Sequence, residues 1–160
     1  MIRTLKISDF KENLLNTCAK YDISPFLLEI EITEGTLMDI GEDKIKVFNE
    51  LRENGVSIAI DDFGTGYSSF KYLINLPFNI LKIDKSLIDN IESDKNKAVI
   101  KSIVCLSKSL KYKIIVEGVE TKEQVDLLLD LGCNIIQGYY YSKPLSAENF
   151  EKYIIKKEWK

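Results

Sequence analysis

The chain predicts an α/β fold with a mainly parallel sheet, and three observations carry that expectation. Short β-branched runs alternate with helical stripes along the length, with strands opening about every 22 to 33 residues. Four of the five predicted strands end in ionisable groups. No linker, charge block or low-complexity tract divides the 160 residues, so one domain over residues 1–160 is expected, burying roughly 70% of its unfolded surface.

Each element has its own signal. Ser8 is placed as the N-cap of a helix to about Tyr21, with Phe10, Leu14, Leu15 and Cys18 on one face, and Ser24-Pro25 ends it. Leu27 to Thr33 reads as a strand with Ile30 and Ile32 on one face and Glu29, Glu31 and Thr33 on the other. Ile45, Phe48 and Leu51 mark a helix stopped by Gly55, and Val56 to Asp62 is the second strand. Phe70, Leu73 and Ile74 give a short helix ending near Pro77. Ile80 to Asp84 is the third strand, and a helix capped at Ser93 carries Val99, Ile103, Leu106 and Leu110. Ile114 to Gly118 is the fourth strand. Thr121 with Gln124 forms a capping box, opening a helix through Val125, Leu128 and Leu129 to Gly132. Ile135 to Tyr140 is predicted as a fifth strand, followed by a last helix capped by Ser146 and carrying Phe150, Tyr153 and Ile154.

Composition excludes several kinds of chemistry. A net charge of −3 and a pI near 5.2 give no electrostatic footprint for DNA or RNA. Cys18, Cys105 and Cys133 are odd in number and in no CxxC spacing, which argues against a disulfide framework and for a reduced, cytoplasmic setting. The chain has no histidine, so any metal must be held by oxygen. The Met1 to Lys6 start does not read as a signal peptide, and no apolar stretch is long enough to span a membrane.

The chemistry concentrates at one edge. In a parallel sheet the strand ends place Glu31, Glu34, Asp61, Asp62, Lys82, Asp84, Glu117, Glu120 and Gln137 on the same side, as (β/α)-barrel enzymes present their active sites. Paired carboxylates at a strand end are costly without a neighbouring cation. Several together suit Mg²⁺ or Mn²⁺, with two ions able to share an aspartate. Lys82 would orient a water or offset phosphate charge. An isolated strand-end acid is more often a solvated group or a cap, and Glu34 and Glu120 fit that reading equally well. The Tyr139-Tyr140-Tyr141 run reads as core and interface packing more than as a base-stacking platform.

Five motifs together resemble the EAL domain family of bacterial cyclic di-GMP phosphodiesterases: Glu31-Ile32-Thr33-Glu34, Asp61 through Ser69, Leu81-Lys82-Ile83-Asp84, Glu117-Gly118-Val119-Glu120-Thr121 and Gln137-Gly138-Tyr139. The resemblance implies a TIM-like barrel that hydrolyses cyclic di-GMP to the linear dinucleotide with two Mg²⁺ or Mn²⁺ ions. By that likeness Glu31 ligates one metal, Asp61 bridges or binds it, and Asp62 and Glu117 serve the second. Lys82 positions the attacking water, Glu34 braces the loop after Asp62, and Glu120 and Gln137 support the site. The family's barrel is about a hundred residues longer at its start, and its Glu-Ala-Leu segment and third-strand asparagine, both metal ligands, have no counterpart here. About five of eight βα units are therefore expected. Open edges would be covered by a homodimer, by another chain, or by the chain's own ends. Two functions follow: a phosphodiesterase fragment, weakly active or inactive alone, or a non-catalytic module for cyclic di-GMP sensing or dimerisation.

Overall fold

The computed structural model describes residues 7–66 and 70–156. The predicted start at Met1 and the Tyr67-Ser68-Ser69 part of the second motif lie outside them. Four parallel strands, β1 (Glu29–Thr33), β2 (Ser57–Phe63), β3 (Ile80–Ile83) and β4 (Lys113–Val116), lie side by side in chain order. Helices α1 (Ile7–Lys20), α2 (Glu42–Glu53), α3 (Phe70–Asn75), α4 (Lys85–Ile88), α5 (Asp94–Leu110), α6 (Lys122–Asp130) and α7 (Ala147–Lys156) complete the chain.

Strand alternation sorts the side chains. Ile58 and Ile60 of β2, Leu81 and Ile83 of β3 and Val116 of β4 turn to the helical layer. There they meet Phe48 and Leu51 of α2, Ile100 and Val104 of α5, and Leu128 of α6 in one apolar cluster. The opposite face carries Glu29, Glu31, Asp61 and Lys82. The fold thus separates an apolar layer from a charged face across a single sheet.

Helix ends follow local chemistry. Gly55 and Gly132 take φ values of +96° and +90° just past α2 and α6, where left-handed backbone ends a helix. The predicted capping box is present: Thr121 Oγ1 accepts from Gln124 N at 3.2 Å, and Gln124 Oε1 accepts from Thr121 N at 3.1 Å. Ser93 stands at the N-cap of α5 but makes no side-chain capping bond. Asp84 does cap, its Oδ1 accepting from Ser86 N at 2.9 Å.

Several expectations are corrected. Among the described residues helix α1 covers Ile7–Lys20, which puts Ser8 inside the helix instead of at the cap. Pro25 to Leu27 form a 3-10 turn, so β1 begins at Glu29 and Leu27 is exposed. Val99 and Leu129 point away from the core, whose α5 face is Ile100, Ile103, Val104 and Ser107. The fifth strand is reduced to one parallel bridge, Val116 to Ile136. Beyond it the chain turns: Tyr140 N donates to Val119 O at 3.0 Å and Tyr141 N to Gly138 O at 3.1 Å. Tyr139, Tyr140 and Tyr141 are consequently exposed on this chain and are not core.

Asn79, just before β3, knits the lower sheet. Its Oδ1 accepts from Ile58 N at 2.8 Å, its N–H donates to Ile58 O at 3.1 Å, and its carbonyl accepts from Lys113 N at 2.9 Å. One residue thereby sets the register of β2 and β4 against β3. Asn79→Ala leaves the buried Ile58 N–H without its acceptor, and is expected to cost about 1–3 kcal/mol in urea unfolding. At Gly138 the backbone lies so close to that of Val119 that a side-chain carbon would overlap it. Gly138→Ala should therefore lower stability by about 1–3 kcal/mol in the same assay.

Candidate active site

The carboxyl edge of the sheet is organised by one cation. Lys82 projects from β3, a strand buried along its whole length, and its side chain is 5% exposed. Its Nζ donates to Glu31 Oε1 from β1, lies 2.9 Å from Glu117 Oε1 beyond β4, and lies 3.3 Å from Asp61 Oδ1 on β2. The register explains the convergence. Thr33 pairs with Asp61 and Lys82 with Ile115, so β1 and β2 on one side of β3 and the end of β4 on the other bring acids around the lysine.

Burial works against the ammonium. The hydrogen bonds to Glu31 and Glu117 and the charges of Glu117 and Asp61 outweigh that cost and raise its pKa well above the ordinary lysine value. One positive charge does not neutralise three acids, and the excess is felt nearby. Glu29 is pushed up by burial and by Glu31, Glu117 and Asp61, against the pull of Lys82. Asp62 is pushed up by burial and by Asp61 and Asp84.

Asp62 reaches this region through a break in the strand. Regular alternation would send Asp61 and Asp62 to opposite faces. The β2–β3 register shifts between Ile60 and Phe63, and Asp62 takes φ +55°, the left-handed region that aspartate tolerates better than most residues. The glycine-rich turn beyond is held from beneath. Glu34 is 5% exposed, and its Oε2 accepts from Gly64 N at 3.0 Å and Gly66 N at 3.2 Å. Thr65 Oγ1 also donates to Asp62 O at 2.9 Å.

Glu120 and Gln137 stand apart from that cluster. Glu120 forms an ion pair with Lys85, whose stem crosses Gly118, a residue with φ +69°. Gln137 contributes its backbone, donating to Val116 O at 2.8 Å and accepting from Val119 N at 3.2 Å. Both border a cavity of about 520 Å³ that Lys85, Tyr139 and Lys143 also line. Sequence reasoning passed over Lys85, which carries no periodic signal. Glu29 was legible as a second acid on the Glu31 face of β1 but was not assigned to the site.

The donor chemistry fits a hard divalent cation. Glu31, Asp61, Asp62 and Glu117 are all carboxylates, and Asp61 Oδ1 is buried with no hydrogen-bond partner among the described residues, since its contact with Lys82 lacks hydrogen-bond alignment. Among the described residues no group of three or more acids closes on a point where an ion would sit. They close on the ammonium instead.

Comparison with known proteins identifies the family. The EAL domain model matches residues 1–144. The signalling protein YkoW of Bacillus subtilis is 41% identical over 96% of the chain, and the bifunctional diguanylate cyclase/cyclic di-GMP phosphodiesterase MucR of Pseudomonas aeruginosa is 40% identical over 86%. The chain spans 19% and 20% of their respective lengths, about a fifth of each. The structure of the PaMucR phosphodiesterase in complex with c-di-GMP superposes with a TM-score of 0.80 at 39% identity, covering 87% of this chain and 57% of that one. The manganese and cyclic di-GMP complex of Klebsiella pneumoniae BlrP1 at pH 9.0 gives 0.78 at 31% identity, over 83% of this chain and 34% of that one. The four-stranded parallel sheet is accordingly part of a (β/α) barrel, and the chain belongs to the EAL domain family.

Proposed function

We propose that this chain carries part of the active site of a metal-dependent cyclic di-GMP phosphodiesterase, yielding the linear dinucleotide. The observation that carries the reading is the convergence of Glu31, Asp61 and Glu117 on Lys82 at the carboxyl edge of the sheet. Relatives named as cyclic di-GMP phosphodiesterases support the substrate class.

Glu31, Asp61, Asp62 and Glu117 would hold Mg²⁺ or Mn²⁺, which when bound lowers the pKa of water and offsets charge on the phosphate. Lys82 acts as a donor: its raised pKa keeps it protonated at neutral pH, so it orients a water or a phosphate oxygen and does not serve as a base. Glu34 holds the backbone of the turn that follows Asp62, which fixes where that acid stands. Glu120 and Gln137 border the adjoining cavity and support the site from there. A cytoplasmic setting is part of the same reading. So is a homodimer, or a second chain, that covers the outer edge of β1, where no strand pairs among the described residues.

A second reading, a cyclic di-GMP-sensing or dimerisation module without turnover, draws on one observation. The described acids form no group of three or more that would hold an ion unaided.

Turnover separates the two. Purified chain supplied with Mn²⁺ and cyclic di-GMP is expected to release the linear product by chromatography, with Asp61→Asn slowing it at least about a hundredfold. Calorimetric binding without product would favour the sensing module, and neither heat nor product would overturn turnover and sensing alike and leave only the dimerisation module. Where turnover is measurable, loss of rate from Lys82 deprotonation is expected only above pH 10.5, the ordinary lysine value, because the folded-state pKa is raised and the ammonium persists until pH passes it. A falling limb near pH 8 that Lys82→Arg abolishes would contradict the donor role.

A further inference from the structure

We propose that Lys82 is the resident counter-ion of the carboxylate cluster and competes with a divalent cation for it, so that loading requires the ammonium to let go of Glu31. The inference rests on the metal-dependent reading above. Its basis is the place of the lysine. Its Nζ donates to Glu31 and Glu117 and lies 3.3 Å from Asp61, so it stands among three of the four acids that would hold the ion. A dication drawn to those acids has to displace the ammonium from at least one of them.

Exposure identifies which one. The side chains of Asp61 and Glu117 are 19% and 20% exposed, whereas that of Glu31 is 48% exposed. Asp61 lies on an inner strand, and Glu117 is tied down by its N–H donating to Ile83 O at 3.0 Å. Glu31 stands on β1, whose outer side is unpaired among the described residues. It is the arm with room to swing. Charge points the same way: one ammonium against three acids leaves an excess of two, with Asp62 and Glu29 adding to it. A dication is drawn by that excess, and the lysine already in place repels it at close range.

The experiment compares the full chain with Lys82→Gln by calorimetric Mn²⁺ titration and by thermal melting. Lys82→Gln is expected to melt below the unsubstituted chain without Mn²⁺, because three acids lose their counter-ion, and to bind Mn²⁺ at least about tenfold more tightly. Equal or weaker Mn²⁺ binding by Lys82→Gln overturns the competition. Absence of Mn²⁺ heat from both proteins overturns the metal reading on which it rests, and the two failures are thereby distinguished. Should Lys82→Gln not fold, the unsubstituted chain suffices. The ammonium ¹⁵N resonance of Lys82 is expected to shift as Mg²⁺ saturates its effect on melting temperature, and a resonance unmoved at that saturation overturns the proposal.

Discussion

A buried ammonium surrounded by carboxylates is the contact on which the carboxyl edge of this protein depends. Removing Lys82 from water is unfavourable, and so is crowding Glu31, Asp61 and Glu117 together. Each cost is offset by the other. The offset is incomplete in charge, and beside it Glu29 and Asp62 are pushed up chiefly by burial, with the neighbouring acids adding to it. The edge is left with more negative than positive charge around the ammonium.

The rest of the fold serves that contact. The helical layer buries Ile58, Ile60, Leu81, Ile83 and Val116 and so fixes which face of the sheet carries charge. Asn79 sets the register at the lower end of the strands, and Glu34 holds the turn at the upper end. Between them the bulge near Asp62 does what regular pleating forbids, bringing two sequential acids into one electrostatic neighbourhood.

The periphery is less self-contained. Beside the β1 edge, Phe26 and Leu27 are each 79% exposed, and at the other side Tyr139, Tyr140 and Tyr141 surround the turn that replaces a fifth strand. Hydrophobic groups of this size are normally covered in a stable assembly.

By itself the sequence determined the elements with strong local signals: the alternation of β1, the capping box at Thr121, the glycine stops at Gly55 and Gly132, and the gathering of strand-end acids at one sheet edge. Period, capping and left-handed turns are written in neighbouring residues, so they are legible without a fold. Tertiary structure alone decided that Ile135 to Tyr140 makes a single bridge and then turns, and that Glu120 faces Lys85. Each of those depends on partners distant in the chain. The same holds at the centre of the site. The sequence placed Glu31, Asp61, Lys82 and Glu117 at strand ends, but only the register of β1 to β4 decided that three acids meet one ammonium, because that register is set by packing across the whole sheet.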